Sequence, residues 1–144
     1  MARMSKAERE RFLAAPHVAI LALNESRRGP LVVPVWYLYE PGGEVVFLTE
    51  RASRKGALLE LNRRISLCAQ QYDWPYQYVS IEGPIEALET ADAEAHLRPL
   101  AVRYLGEAEG NAYADEMAPD LADGSRVLVR LRPERWLTAD YARD

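Results

Sequence analysis

Residues 31–39 place the strongest restriction on how this chain can fold, because the strand that they predict is apolar or aromatic on both faces. A strand buried on both sides in a small domain fits a barrel wall that a helix or a second subunit covers from outside. Since proline lacks an N–H, Pro34 predicts an edge or a bulge where neighbouring backbone groups stay free for a ligand. The two faces are Leu31, Val33, Val35, Tyr37 and Tyr39 on one side and Val32, Trp36 and Leu38 on the other.

Short apolar runs separated by turn residues predict further strands along the chain. These runs are residues 17–23, 44–49, 64–72, 76–88, 126–131 and 135–139. A capping box from Ser5 to Glu8 opens a helix that stops before Pro16, and a second, short helix covers residues 57–61. We therefore predict a mainly β (α+β) fold, an antiparallel barrel of about six strands with short flanking helices.

Two glycine- or proline-containing positions are expected to interrupt these elements. Gly83 and Pro84 lie inside the long strand at 76–88, where a barrel strand must bend or bulge. A helical repeat follows Thr90, with a kink or a fresh start at Pro99, and residues 107–117 predict another short helix.

Composition excludes several classes of protein. A length of 144 residues fits one domain, residues 1–144, and a net charge of −4 with a pI near 5.3 argues against nucleic-acid binding. No apolar run approaches the ~18 residues of a membrane span, and the charged first ten residues lack the apolar part of a secretion signal. Cys68 is the only cysteine, which excludes an internal disulfide. We expect a soluble cytoplasmic protein without membrane or nucleic-acid partners.

The stretch from Phe47 to Gly56 is the strongest candidate for a binding site. It joins an apolar strand to a helix start through a short polar turn, an arrangement in which free backbone N–H groups point at an anion. Arg54 and Lys55 oppose the helix dipole there, and a bound phosphate would resolve that conflict. An ordinary solvated helix start, with Ser53 as N-cap and Arg54 paired with Glu50, explains the same residues. Local chemistry leaves both interpretations open.

Gln77 is a second candidate, because it lies among the aromatic residues Trp74, Tyr76 and Tyr78. Its amide offers both a donor and an acceptor, so it could hydrogen-bond a heteroaromatic ring. A surface or interface glutamine fits the same pattern, and the sequence does not decide between the two.

No residue pattern predicts a metal site or a catalytic nucleophile. His17 and His96 are the only histidines and have no metal-ligand spacing, and Cys68 has no activating partner. If this chain is an enzyme, a cofactor must therefore supply the chemistry. The arginines of the predicted strand at 126–131 and just beyond it fit a solvated charged face or, less well, an anion contact; they are Arg126, Arg130 and Arg132.

Several motifs together resemble the FMN-binding core of the pyridoxamine 5′-phosphate oxidase-like split β-barrel family. The resemblance covers most of residues 10–140. The chain is most similar to short members of the family that use FMN or the deazaflavin F420. In those members Arg-Tyr-Leu-Gly, here residues 103–106, is a familiar helix end. The motifs are residues 46–49, Ser53-Arg54-Lys55-Gly56, Leu59, Asn62 and residues 65–67.

The resemblance implies a split barrel and a set of cofactor contacts. Arg54 and Lys55 would hold the phosphate, Gln77 would face the ring, and the backbone of residues 33–38 would line it. No catalytic side chain and no metal are implied. The implied cofactor-binding residues are Val33, Pro34, Val35, Trp36, Leu48, Thr49, Ser53, Arg54, Lys55 and Gln77.

Two departures from the family's oxidases argue against the vitamin as substrate. The oxidases carry basic residues where this chain has Val33 and Leu38, and they have a longer C-terminal substrate-binding portion. The resemblance implies a homodimeric oxidoreductase that moves a hydride between FMN or F420 and a small organic substrate, walled by Trp74, Tyr76 and Trp136. The alternatives are a non-catalytic barrel that binds or senses a flavin or haem, and a cofactor-free structural dimer.

Overall fold

The computed structural model describes residues 2–142, and their strands form one strongly curved antiparallel sheet. The strands are β1 (Ala19–Leu23), β2 (Leu31–Val35), β3 (Leu38–Tyr39), β4 (Val45–Glu50), β5 (Arg64–Gln71), β6 (Gln77–Thr90), β7 (Arg126–Leu131) and β8 (Arg135–Asp140). The helices are α1 (Lys6–Ala14), α2 (Arg54–Leu61), α3 (Arg98–Leu105) and α4 (Glu107–Leu121), with a π-helical turn (Ala93–Leu97) before α3.

The strand order is β2-β1-β5-β6-β7-β4-β3, with β8 paired to β6. The predicted antiparallel split barrel is confirmed, and β6 is the strand that both halves share. Along β6 the partner on one side changes from β8 to β7 near Gly83, followed by a register shift between Ile85 and Ala87. A Cβ at Gly83 would lie 1.7 Å from the carbonyl oxygen of Arg132, so only glycine allows the chain to cross there.

The predicted strand at 31–39 is divided, which is one reason why the sheet has eight strands and not about six. Its backbone turns away at Trp36 and Tyr37, and the Tyr37 N–H donates to the hydroxyl of Tyr104 in α3 at 3.1 Å. A side chain 67 residues further on thus replaces a ladder partner. No helix of this chain covers the outer face of β2, because Val32 is 60% exposed. Cover by a second subunit, the other predicted possibility, stays a prediction.

The helix predictions are confirmed in outline. Ser5 Oγ accepts the Glu8 N–H at 3.1 Å, and the Glu8 carboxylate accepts the Ser5 N–H at 2.9 Å, which completes the capping box of α1. α3 begins at Arg98, directly after the π-helical turn, and Leu97 at the junction keeps helical backbone angles, so Pro99 lies where one helical form passes into the other and not at a fresh start. Within residues 2–142, no helix is both long enough and apolar enough to cross a membrane.

Two apolar clusters hold these elements together. The larger fills the barrel interior, with Tyr37, Phe47 and Leu21 almost fully buried. The smaller lies between the sheet and the α3–α4 region and contains Leu97, Ala114, Leu121 and Leu128. The outer face of β4 and β7 is therefore covered by helices, and its end borders the site described next.

Candidate functional site

The first turn of α2 follows directly after β4 and is held there by Ser53. The Ser53 Oγ accepts the Gly56 N–H at 3.0 Å and donates to the Glu50 carbonyl oxygen at 2.7 Å. A Cβ at Gly56 would lie 2.3 Å from that same carbonyl, so glycine lets the helix start pack tightly on the turn. The first N–H groups of a helix have no partner within it, and the first turn of α2 carries no acidic residue. This helix start can therefore accept an anion.

Two neighbouring cavities meet at this helix start. The first has a volume of about 470 Å³ and is lined by Leu31, Val33, Leu48, Thr49, Glu50, Ser53, Arg54, Lys55 and Arg126. The second has a volume of about 460 Å³ and is lined by Val18, Pro34, Val35, Trp36, Leu48, Lys55, Leu97, Leu100, Tyr113 and Arg126. Because they share Leu48, Lys55 and Arg126, they form one site with a polar end and an apolar, aromatic end.

Lys55 is the central cation of this site. Its side chain is half-buried, and within residues 2–142 it forms no ion pair. Burial lowers the pKa of Lys55 below its usual value, and the nearby charge of Glu50 only partly opposes that effect. An anionic ligand would supply the counter-charge that this lysine lacks.

Arg54 is paired, but with a residue that local sequence did not indicate. Its Nε donates to Glu25 Oε2 at 3.2 Å and its Nη2 to Glu25 Oε1. The Arg54 guanidinium holds the pKa of Glu25 below its usual range. Glu50, the expected partner, instead forms an ion pair with Arg126, with its Oε1 3.2 Å from Arg126 Nη2. The loop between β1 and β2 thus reaches the helix start, which follows from the fold and not from sequence proximity.

Thr49 gives independent support for a polar ligand. Thr49 is 4% exposed and lines the first cavity, and its Oγ1 has no hydrogen-bond partner among residues 2–142. A buried hydroxyl without a partner costs stability, so such groups usually serve a ligand or an ordered water. A phosphate oxygen could accept this hydroxyl. The residues present therefore fit a phosphate-bearing cofactor.

The aromatic end of the site is positioned by α3. Trp36 stacks on Tyr104 with ring centroids 4.9 Å apart, and the Tyr104 hydroxyl donates to the His17 carbonyl oxygen at 2.7 Å. Arg103 donates to the Ala14 and Ala15 carbonyl oxygens at 2.6 and 2.8 Å. The Arg-Tyr-Leu-Gly segment therefore ties α3 to the end of α1 and holds Trp36, while Tyr113 lines the cavity itself.

Nine of the ten predicted cofactor-binding residues line these two cavities, and Gln77 does not. Gln77 begins β6 and faces a different cavity beside α1, with Met4, Phe12 and Asp140. Trp74 and Tyr76 are exposed on the adjoining loop, and Trp136 packs beside Tyr39. The structure of one chain brings none of these four residues to the site.

Arg126 lines both cavities, whereas the sequence left open whether it belongs to a solvated charged face or to an anion contact. The predicted row of arginines separates in the structure: Arg130 pairs with Glu89 and Glu44, and Arg132 pairs with Glu86 and Glu134. Arg126 lies beside the helix start because β7 pairs with β4, and no sequence pattern indicated that pairing.

The histidines do not contribute to the two cavities. His17 Nε2 lies 3.0 Å from the Phe12 carbonyl oxygen, and His96 Nδ1 accepts the Asp92 N–H at 2.9 Å. Burial is the main cause that lowers the pKa of His17. In the part of the chain that the structure describes, no three His, Cys, Asp or Glu side chains cluster as metal ligands. Neither histidine offers a haem ligand at this site.

Comparison with known proteins decides the family. The family model described as "Pyridoxamine 5′-phosphate oxidase" matches residues 5–140. The chain belongs to the pyridoxamine 5′-phosphate oxidase family. A curated relative in Anaeromyxobacter dehalogenans (strain 2CP-C), named pyridoxine/pyridoxamine 5′-phosphate oxidase, is 29% identical over 137 residues, which are 92% of this chain. The chain spans 66% of that relative's length, slightly less than two thirds.

Solved structures agree with this membership of the pyridoxamine 5′-phosphate oxidase family. A conserved hypothetical protein from Mycobacterium tuberculosis is 27% identical, with a TM-score of 0.73 over 96% of this chain and 86% of that one. An F420 reductase is 21% identical, with a TM-score of 0.70 over 89% of this chain and 94% of that one. A FAD-binding protein from Mesorhizobium loti is 20% identical, with a TM-score of 0.63 over 95% and 93%. The last two establish the shared fold.

Proposed function

We propose that this chain is a flavin- or deazaflavin-dependent oxidoreductase that binds FMN or F420 and exchanges a hydride with a small organic substrate. One observation carries the proposal: the two contiguous cavities join an anion-accepting helix start to an aromatic compartment beside the edge strand β2. Membership of the pyridoxamine 5′-phosphate oxidase family supports it, as do an F420 reductase and a FAD-binding protein among structures of similar fold.

The polar end would hold the cofactor's phosphate. Lys55 lies in the first turn of α2 and forms no ion pair among the described residues, the start of a helix favours an anion, and the Thr49 hydroxyl lines the same cavity as a donor. Arg54 would join these contacts if it leaves or shares Glu25. Each of these groups would bind the phosphate, and none of them would contact the ring.

The other end would orient the ring and keep water away from it. β2 is an edge strand paired to β1, so its outer row of backbone groups is available to a ligand beside Val33 and Val35. Trp36 is fixed by its stack on Tyr104. A bound flavin or deazaflavin supplies two-electron hydride chemistry, and the protein's part is orientation and exclusion of water.

A homodimer is part of the proposal. The outer face of β2, β1, β5, β6 and β8 carries a connected patch without a charged side chain, and Val32 and Leu137 on it are 60% and 62% exposed. Such a face supports contact with a second copy. A second copy is also the means by which Gln77 would reach the ring. The residues of this patch are Ile20, Ala22, Val32, Pro34, Ser66, Cys68, Ser80 and Leu137.

Titration with FMN and with F420 tests the cofactor. We expect one of them to bind wild type, and Lys55→Ala to weaken binding by roughly 1–3 kcal/mol through loss of a charge-assisted contact. Lys6→Ala is the matched control, because Lys6 is the other lysine and lies exposed at the start of α1. Binding of neither cofactor would refute the proposal. Binding without turnover of any organic acceptor would favour the non-catalytic alternative.

Light scattering on the eluting protein tests the dimer. Val32→Glu should shift the mass towards that of one chain, because a carboxylate buried in an apolar interface has no partner. If Val32→Glu remains a dimer, the interface lies outside this patch. If the wild type is a monomer, the dimer proposal is refuted.

A further inference from the structure

Arg126 lies where the two cavities of the site meet. It begins β7 and stands directly opposite Glu50, the last residue of β4, in the antiparallel register. With Lys55 and Leu48 it lines both cavities. Its side chain is 26% exposed, although it occupies the end of a strand. This position makes Arg126 a wall of the site and not a residue of the open surface.

The arginine four residues later on the same strand shows what a purely structural arginine looks like here. Arg130 Nε donates to Glu89 at 2.8 Å, and Arg130 Nη1 lies 3.6 Å from Glu44. Arg130 is outside both cavities. Among residues 2–142, Arg126 forms a direct ion pair with Glu50 alone, whose side chain is 61% exposed, and its charge also acts at longer range on Asp123. An ion pair with so exposed a carboxylate contributes little, so a ligand can displace it.

A guanidinium offers five N–H donors in a planar fork, and Glu50 Oε1 lies within 3.2 Å of one of its nitrogens, Nη2. A phosphate presents several oxygens and more negative charge than a carboxylate, so it is the stronger partner for the same fork. The unpaired Lys55 charge and the unpartnered, buried Thr49 hydroxyl line the cavity with Arg126. Lys55, Thr49 and Arg126 can therefore all bind an anion in the same cavity.

We infer that Arg126 is a third cationic contact for the ligand's phosphate, and that Glu50 is the carboxylate that this phosphate displaces. The inference deepens the proposed function and rests on it for the identity of the ligand. The anion contact itself does not depend on a flavin ring. Glu50 thereby lowers the affinity of the site, because it competes with the phosphate for Arg126 and places a like charge beside it.

The test compares a phosphate-bearing ligand with one that lacks the phosphate. FMN, riboflavin and inorganic pyrophosphate are titrated into wild type, Arg126→Gln, Glu50→Gln and the double variant, with Arg130→Gln as the matched control. We expect Arg126→Gln to weaken FMN and pyrophosphate by ~10-fold or more, since a charge-assisted contact is lost. Riboflavin affinity should stay unchanged, and Arg130→Gln should stay within about two-fold for all three ligands.

Glu50→Gln should change the affinity for FMN and pyrophosphate in the opposite direction. It should strengthen FMN and pyrophosphate binding by roughly three- to ten-fold, because it removes a competing and repelling charge. In the double variant the part of that gain that comes from competition should disappear, since there is no longer an arginine to release, and only the smaller gain from removed repulsion should remain. Arg126→Lys, which keeps the charge without the fork, should retain part of the affinity that Arg126→Gln loses. Thermal unfolding of each variant confirms that only folded protein is compared.

Wild-type pyrophosphate affinity in Arg126→Gln, or weaker binding in Glu50→Gln, would overturn the inference. An equal loss of riboflavin affinity in Arg126→Gln would also overturn it, because the residue would then shape the site and not contact phosphate. If pyrophosphate follows the expected pattern while FMN and F420 fail to bind, the proposed cofactors are wrong and Arg126 remains an anion contact. Failure of wild type to bind pyrophosphate and FMN alike would overturn the inference itself.

Discussion

Replacing Thr49 by valine should change stability and ligand affinity in opposite directions. Thr49 Oγ1 is buried beside the helix start and has no partner among the described residues. Valine has nearly the same shape and suits a strand equally well, so Thr49→Val removes the hydroxyl and little else. The ligand-free protein is relieved of an unsatisfied polar group, and the phosphate loses a donor.

The magnitudes follow from the burial of this group. An unpartnered buried hydroxyl costs about 1–3 kcal/mol, and the lower end corresponds to a rise in Tm of about 3 °C for a chain of this size. Loss of a hydrogen bond to a charged acceptor should weaken FMN or F420 by ~10-fold. At a ligand concentration of about 100 times the wild-type Kd, ligand stabilises wild type by about 2.7 and the variant by about 1.4 kcal/mol. The variant's advantage should therefore disappear near that concentration.

Thermal unfolding across a ligand titration measures both effects. Thr138→Val is the control, because the Thr138 hydroxyl accepts the Met4 N–H at 3.0 Å and lies outside both cavities. That variant should lose about 1 kcal/mol of stability and keep its ligand affinity. If Thr49→Val lowers Tm as Thr138→Val does, the Thr49 hydroxyl has a partner in the free protein, and its assignment as a ligand donor fails.

Three further predictions test the site and its support. Because burial lowers the pKa of Lys55, this cation is lost at a lower pH than the ~10.4 of an ordinary lysine, so phosphate-ligand affinity should fall as pH rises through that lowered pKa. Titrations between about pH 7 and 10 measure this, and Lys55→Arg should bind with no such fall. Tyr104→Phe leaves the Tyr37 N–H without its acceptor and should cost about 1–3 kcal/mol in denaturation experiments, with altered tryptophan fluorescence; unchanged stability would contradict the role of the hydroxyl. Gly110→Ala would place a Cβ 2.4 Å from the α3 backbone and should lower stability by about 1–3 kcal/mol, whereas Gly29→Ala, with nothing within 4 Å, should be neutral.

The polar end of the site could be predicted because its parts are neighbours in sequence. The end of β4, the turn and the first residues of α2 form one continuous stretch from Phe47 to Gly56. Strand alternation, an N-cap serine and a misplaced pair of cations are local signals, so no knowledge of the fold is needed to combine them. The Ser-Arg-Lys-Gly motif then identified the family, which the match over residues 5–140 confirmed.

Contacts between distant parts of the chain were not predictable in the same way. Glu50 and Arg126 meet only because β4 pairs with β7, and Arg54 meets Glu25 only because the loop between β1 and β2 folds back over α2. Likewise, the division of the strand at 31–39 depends on a hydroxyl in α3. No local pattern encodes which strands become neighbours.

The amino-acid sequence by itself determined the element types, the antiparallel class and the position of the helix start after β4, and its resemblance to the family gave nine residues that line the two cavities. Tertiary structure alone decided that Arg126 borders this site, that Gln77 faces elsewhere within one chain, and that Glu25 and Glu50 neutralise two of its cations. The physical reason is the range of the interactions. Propensity, capping and alternation act over a few residues, whereas strand register and charge pairing across the sheet depend on how the whole core packs.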